Sequence, residues 1–204
     1  RVGVCCEQTR TRTQRTHPLY SSAASEGYKR QLVTPIDPNT QEFAPGEAAI
    51  REALEYFGHT SFRPGQREAL ETLFDDGRLL LVAPTGGGKS LTYQLPAILL
   101  PGTTLVVSPL ISLMQDQVSA LEAQGVAATF LASTLEPSEI NRRMKALTNG
   151  EYRIAYVAPE RLSSPAFRNV IAKLECPLVA IDEAHCISEW GHHFRPDYMQ
   201  IGAL

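Results

Sequence analysis

Through residues 1 to about 45 the apolar residues follow no period and Arg, Thr, Ser, Gln and Pro dominate, so this stretch reads as a disordered tail or linker. From Glu47 the pattern turns helical: Ala49, Ile50, Ala53, Leu54 and Phe57 recur at helical spacing and stop before Gly58. A second helix is predicted over residues 64–76, with Pro64 suited to a first turn and Gly77 to the stop. Short, nearly continuous apolar runs then alternate with helical patterns. The runs at 79–83, 104–107, 154–157 and 178–181 predict strands, and the stretches at 89–99, 112–124, 138–147 and 165–174 predict the helices between them. Strands that are apolar on both faces and alternate with helices imply a mainly parallel sheet covered on both sides, a doubly wound α/β body over residues 46–204. Ligand sites in such a body lie at the carboxyl ends of the strands.

At 204 residues the chain is long enough for one domain with a sizeable core plus a tail, and its 43% hydrophobic and 20% charged content is ordinary for a soluble α/β protein. A net charge of −3 excludes a global basic footprint for polyanions, so any nucleic-acid binding must come from a local surface. Up to Arg30 the tail is basic, with Arg1, Arg10, Arg12, Arg15, Lys29 and Arg30 against Glu7 and Glu26, which fits a solvated tail, weak polyanion contact or an organellar transit peptide. Cys5, Cys6, Cys176 and Cys186 have neither zinc-ligand nor CxxC spacing, and a reducing intracellular compartment is the simplest expectation. No apolar run approaches the roughly 18 residues of a membrane span and no secretion signal is apparent, so no membrane partner is expected. The chain begins without Met and stops at Leu204, just after its densest motif region, which leads us to expect a fragment.

The candidate chemistry begins at Ala83-Pro84-Thr85-Gly86-Gly87-Gly88-Lys89-Ser90, between a predicted strand and a predicted helix, which is the context a phosphate-binding P-loop requires. Consecutive glycines let backbone N–H groups turn onto an anion, and the following helix adds its positive end. Lys89 supplies a cation for the β- and γ-phosphates, and the Ser90 hydroxyl can ligate Mg²⁺. Ala83 stands where the general motif has its first glycine. A glycine-rich turn without a ligand is the alternative, and the coincidence of GKS with the strand-to-helix context argues against it.

The last predicted strand ends in Asp182-Glu183-Ala184-His185. Adjacent carboxylates at a buried strand end are costly to desolvate unless a cation sits beside them. With a P-loop in the same strand–helix series, Asp182 is expected to coordinate Mg²⁺ through water and Glu183 to orient and deprotonate an attacking water. The alternative is an exposed acidic strand end.

These residues together resemble the DEAH-type helicases of superfamily 2, and the motifs over roughly residues 54–198 narrow the resemblance to the RecQ family of DNA helicases. The resemblance implies a RecA-like P-loop NTPase fold, with Thr85, Gly86, Gly87, Gly88, Lys89 and Ser90 holding ATP, Ser90 and Asp182 holding Mg²⁺, and His185 joining Lys89, Asp182 and Glu183 as a catalytic group. The segment 54–66 is similar to the family's motif 0. By that likeness Gln66 reads the adenine edge, Arg63 supports it and His59 takes the place of a ring stacked on adenine. Read without the family, Phe57 and Phe62 are core residues and Gln66 is a surface amide of a helix.

Segments 106–117 and 156–162 resemble the family's DNA-contact segments, which assigns Ser108, Gln115 and Arg161 to a DNA strand, while Leu110, Leu113 and Val118 read as the buried face of a helix. The run from Cys186 to Tyr198 holds the only Trp of the chain. It resembles the family's aromatic-rich loop, implying that Trp190, His192, Phe194 and Arg195 contact single-stranded DNA and couple that contact to hydrolysis. His193 and Glu189 depart from the family's usual Asp and Gln. A metal site from His185, Cys186, His192 and His193 is the alternative, and its spacing matches no zinc pattern.

The resemblance therefore implies an ATP- and Mg²⁺-dependent 3′–5′ DNA helicase of recombination and repair, partnered by single-stranded or duplex-junction DNA, in the cytoplasm or nucleoid of a bacterium or the nucleus of a eukaryote. A second motor domain, which in the family closes over ATP, is absent from this chain. Two alternatives stay open: another nucleic-acid-stimulated P-loop ATPase such as an RNA helicase, and a non-catalytic nucleotide- or strand-binding remnant.

Overall fold

The computed structural model describes residues 2–8, 45–84, 86–187 and 196–203. Two helices lead into the body. Helix α1, Glu47–Tyr56, buries Ile50, Ala53 and Leu54; helix α2, Gln66–Asp76, buries Ala69, Leu70, Leu73 and Phe74 and ends at Gly77. Strands and helices then alternate as β2 (Arg78–Ala83), α3 (Leu91–Leu99), β3 (Thr104–Val107), α4 (Ile111–Ala123), β4 (Ala128–Leu131), α5 (Pro137–Thr148), β5 (Ile154–Val157), α6 (Pro165–Ile171) and β6 (Leu178–Ile181), with β1 (Val2–Gln8) preceding all of them. The sheet is six-stranded in the order β2-β1-β6-β3-β5-β4. Each neighbouring pair is parallel.

Side-chain alternation sorts the core. On one face Val106, Tyr156 and Ala180 meet α1 to α4 through Leu54, Leu73, Leu91 and Met114; on the other Leu105, Val157 and Ile181 meet α5 and α6 through Leu147, Phe167 and Ile171. The doubly wound architecture expected from the strand pattern is thus the observed one. The helix expected at 64–76 starts at Gln66, because Pro64 and Gly65 form a turn and Gly65 takes a left-handed φ of 85°.

Two strands escaped the sequence pattern. β4 is a four-residue run, Ala-Thr-Phe-Leu, buried along its length but too short and mixed to show a period. The expectation of a disordered 1–45 is corrected at its start. Val2–Gln8 pairs with β2 on one side and β6 on the other, Val4 lying opposite both Leu79 and Ala180. The physical reason is tertiary: β2 and β6 each present a ladder of donors and acceptors to the same gap, and a strand there satisfies both. Residues 9–44 of the expected tail lie outside the described residues.

Candidate nucleotide site and the adjoining strand edge

In a parallel sheet every carboxyl end faces one edge, so Ala83, Val107, Leu131, Val157 and Ile181 deliver their following loops to the same side. The first loop is built from glycines for a geometric reason. Gly86 and Gly88 adopt φ of 74° and 71°, where side chains are strained, and a Cβ on Gly87 would lie 2.7 Å from the Pro84 carbonyl oxygen. The Gly87 N–H donates to that same carbonyl at 2.9 Å. Lys89 curls back over the loop, its Nζ donating to the carbonyls of Ala83 at 3.1 Å and Pro84 at 3.3 Å. Ser90 stands at the N-cap position of α3.

The acids stand across β1, at the end of β6. Asp182 and Glu183 are both buried, at 8% and 4% exposure. Burial raises the Asp182 carboxyl above its ordinary range, while the Glu183 N–H, the Lys89 charge and the Ser108 hydroxyl pull it back. Lys89 therefore belongs electrostatically to the acids as well as to the loop. Asp182 is fixed from three directions. Its N–H donates to Val107 O at 2.8 Å, its Oδ1 accepts from the Glu183 N–H at 3.0 Å, and its Oδ2 accepts from Ser108 Oγ at 3.4 Å. Glu183 holds a positive φ of 52°, a strained conformation for a residue with a side chain, and its Oε2 lies 3.2 Å from His185 Nδ1.

The donor set suits a hard divalent cation bound mostly through phosphate oxygens and water. Mg²⁺ takes one or two protein oxygens in such sites, and the chain offers one hydroxyl and one buried carboxylate beside a loop shaped to exclude even a methyl group. Among the described residues no group of three or more His, Cys, Asp or Glu is placed to hold a metal, and His192 and His193 of the alternative centre lie outside those residues.

A comparison with known families decides the class. Residues 63–204 match the family model described as DEAD/DEAH box helicase. The chain belongs to the DEAD/DEAH box helicase family. Within reach of this helicase domain are RecQ proteins. It is 50% identical over 150 residues to the ATP-dependent DNA helicase RecQ of Bacillus subtilis, covering 73% of this chain and 25% of that protein. It is 46% identical over 156 residues to RecQ of Haemophilus influenzae, covering 76% of this chain and 25% of that one, and 45% identical over 148 residues to the Arabidopsis thaliana ATP-dependent DNA helicase Q-like 5, covering 72% and 16%. The helicase domain thus spans about a quarter or less of the length of these relatives.

The remaining expected site residues divide sharply. Gln66 is buried at 1% exposure rather than a surface amide, and its Oε1 accepts from the Arg63 N–H at 2.8 Å, which orients the amide. His59 lies on the turn after α1, its Nε2 buried without a hydrogen-bond partner among the described residues; burial, then the Arg63 charge, lowers its pKa. Ser108, assigned by the resemblance to a DNA strand, stands inside the protein. It is 1% exposed and turned onto Asp182, because β3 and β6 are neighbours and bring the residue after one against the residue after the other.

Gln115 is exposed on α4, whereas Leu110 is 43% exposed, so the buried face of that helix is Met114, Val118 and Leu121. Arg161 donates from Nη2 to Ala132 O at 3.0 Å and lines a cavity of about 540 Å³ with Ser133, Thr134, Asn141 and Ser164. Thr85, Trp190, His192, Phe194 and Arg195 lie outside the described residues. Just beyond the aromatic segment, Tyr198 is buried and its hydroxyl donates to Asp182 O at 2.9 Å, a contact that spacing alone does not reveal.

Proposed function

We propose that this chain is the ATP-binding first motor domain of a RecQ-type DNA helicase, ATP- and Mg²⁺-dependent, moving 3′ to 5′ on single-stranded or junction DNA in recombination and repair. The observation that carries the reading is the meeting of the glycine loop with the buried acids at one sheet edge, with Lys89 inside the field of Asp182. In this reading the N–H groups of Gly86, Gly87 and Gly88 seat the phosphates, and Lys89 exchanges its two carbonyl partners for phosphate oxygens. Ser90 and Asp182 would hold Mg²⁺, which when bound would supply positive charge against the phosphates. Glu183 accepts the proton of the attacking water, and His185, 3.2 Å from its carboxylate, orients it. Gln66, Arg63 and His59 take the adenine, with Thr85 completing the loop.

Arg161, Gln115 and the segment holding Trp190, His192, Phe194 and Arg195 meet the DNA strand, and Arg161 has a cavity beside it with the hydroxyls and amide that suit phosphate oxygens. Relatives 45–50% identical are named ATP-dependent DNA helicases, which supports DNA as the polymer. Such an enzyme works in the cytoplasm or nucleoid of a bacterium, or in a nucleus. The test is ATP hydrolysis by the full-length gene product with and without single-stranded DNA, beside its Trp190→Ala variant. The expected result is strong stimulation by DNA, with the stimulated-to-unstimulated ratio falling towards one in the variant. Stimulation by RNA alone, or turnover indifferent to DNA in both proteins, overturns the DNA-helicase reading.

A further inference from the structure

Tyr198 lies in the 3₁₀ segment Pro196–Ala203 and is 1% exposed. Its ring sits on the face of the sheet covered by α5 and α6, in one cluster with Leu162, Phe167, Ile181, Ala184 and Cys186. A buried phenol needs a partner for its hydroxyl, and many carbonyls could meet that need. The one it takes, at 2.9 Å, is the carbonyl of Asp182, 16 residues earlier in the chain. That oxygen stands just past the last paired residue of β6, Ile181 opposite Val107, and belongs to the peptide unit that joins the two acids. The unit is held at both ends. Tyr198 donates to its oxygen, and its own N–H, that of Glu183, donates to Asp182 Oδ1 at 3.0 Å. On the far side of the Glu183 Cα, the next carbonyl accepts from the Cys186 N–H at 2.9 Å. The torsion φ relates these two peptide units, so anchoring both keeps Glu183 at its left-handed φ of 52°. A residue with a side chain holds such a value only where its surroundings impose it.

We propose that the Tyr198 hydroxyl is a positioning group for Glu183: it clamps the Asp182–Glu183 peptide and so keeps the Glu183 carboxylate where it can take a proton from water. The inference rests on the reading of Glu183 as the general base given above. Tyr198 acts through the backbone of Glu183 and not on the reacting atoms. A phenylalanine would fill the same space in the cluster, so the hydroxyl is what separates positioning from packing. Released from the clamp, Glu183 relaxes towards negative φ and its carboxylate moves with its Cα. A misplacement of about 1 Å in a catalytic group costs up to about 100-fold in rate.

The full-length protein, as wild type and as Tyr198→Phe, is compared in three measurements: ATP hydrolysis with and without single-stranded DNA, binding of fluorescent methylanthraniloyl-ADP, and amide hydrogen exchange without nucleotide. Tyr198→Phe is expected to lower kcat by about 10- to 100-fold, by the same factor with and without DNA, and to leave KM for ATP and the methylanthraniloyl-ADP affinity unchanged. Exchange over residues 182–187 is expected to quicken while that of β3 and β5 stays as in the wild type. An amino-phenylalanine at position 198, which restores an N–H donor on the same ring, is expected to recover most of the lost kcat. Should Tyr198→Phe fail to fold, as read by circular dichroism, a fluoro-phenylalanine at that position, close in shape to tyrosine but without the donor, carries the test. Wild-type kcat in Tyr198→Phe, a loss that appears equally in nucleotide affinity, or a loss confined to the DNA-stimulated rate overturns the positioning role and leaves the reading of Glu183 intact. A Glu183→Gln protein that hydrolyses ATP as fast as the wild type overturns that reading and the inference with it.

Discussion

Glu183 shows how a single residue can carry a conflict that its neighbours resolve. A non-glycine φ of 52° costs of order 1–3 kcal/mol, and it persists because the Glu183 N–H is held by Asp182 Oδ1 and its carbonyl accepts from the Cys186 N–H at 2.9 Å. The strain turns two adjacent carboxylates in different directions, Asp182 towards Ser108 and Glu183 towards His185. Gln66 and Ser108 are polar residues that folding buries, the first with its amide oriented by the Arg63 N–H and the second against Asp182. Their residue types were legible in the chain, and their orientations were not. His59 is the residue whose behaviour pH exposes. Its pKa is lowered from 6.5, first by burial and then by Arg63, so the unfolded chain takes up the proton before the folded one does. Its neutral form therefore contributes stability that is present above 6.5 and is lost as the pH falls from there through the folded value. Thermal unfolding of the wild type and of His59→Gln, compared at about pH 7.5 and about pH 5.5, is expected to show a smaller acid-induced fall in the variant. An identical fall in both would remove His59 as the cause.

At the scale of elements, the central strands were plain in the sequence because both of their faces are apolar. β3, β5 and β6 are each bracketed by helices, and their four-residue runs coincide with the expected ranges. α3 starts two residues later than expected, with Ser90 at its N-cap position, and α4 starts one residue earlier, with Leu110 at its N-cap position. β4 and β1 were invisible for opposite reasons. β4 has the right composition in too short a run, while β1 stands apart in a polar stretch and owes its place to the gap between β2 and β6. Leu105 tests the contribution of the central strand. It is fully buried in β3 and packs with Val157, Leu147 and Ile181 on the α5–α6 face. Leu105→Ala should cost about 2–5 kcal/mol, read as a lower urea midpoint at unchanged slope. A loss below about 0.5 kcal/mol would mean that this face of the sheet does not form as described.

At the scale of the molecule, a helicase domain that spans about a quarter of its RecQ relatives carries the glycine loop and buried acids that we propose for a nucleotide, and nothing among the described residues closes over them. Related phosphoryl-transfer enzymes gain about 10³ to 10⁵ in rate from an arginine supplied across such a closure. The 204-residue chain alone is accordingly expected to bind nucleotide weakly, to hydrolyse it poorly and to leave duplex DNA intact in a strand-displacement assay. Robust unwinding by the isolated chain would refute this. No helix among the described residues is long and apolar enough to cross a membrane.

What the sequence determined by itself was the set of local instructions: apolar strands of the right length, glycines where the loop must reach positive φ, and the acids at a strand end. These are legible because each depends on the residues beside it. Only the tertiary structure decided which ends meet. Parallel pairing of β6 with β3 set Ser108 against Asp182, packing carried Tyr198 back to the Asp182 carbonyl, and burial of α3 brought Tyr93 to Tyr156 and Gln94 to Gln117. Those contacts join residues far apart in the chain, and their partners are selected by strand order and desolvation, which no local pattern encodes.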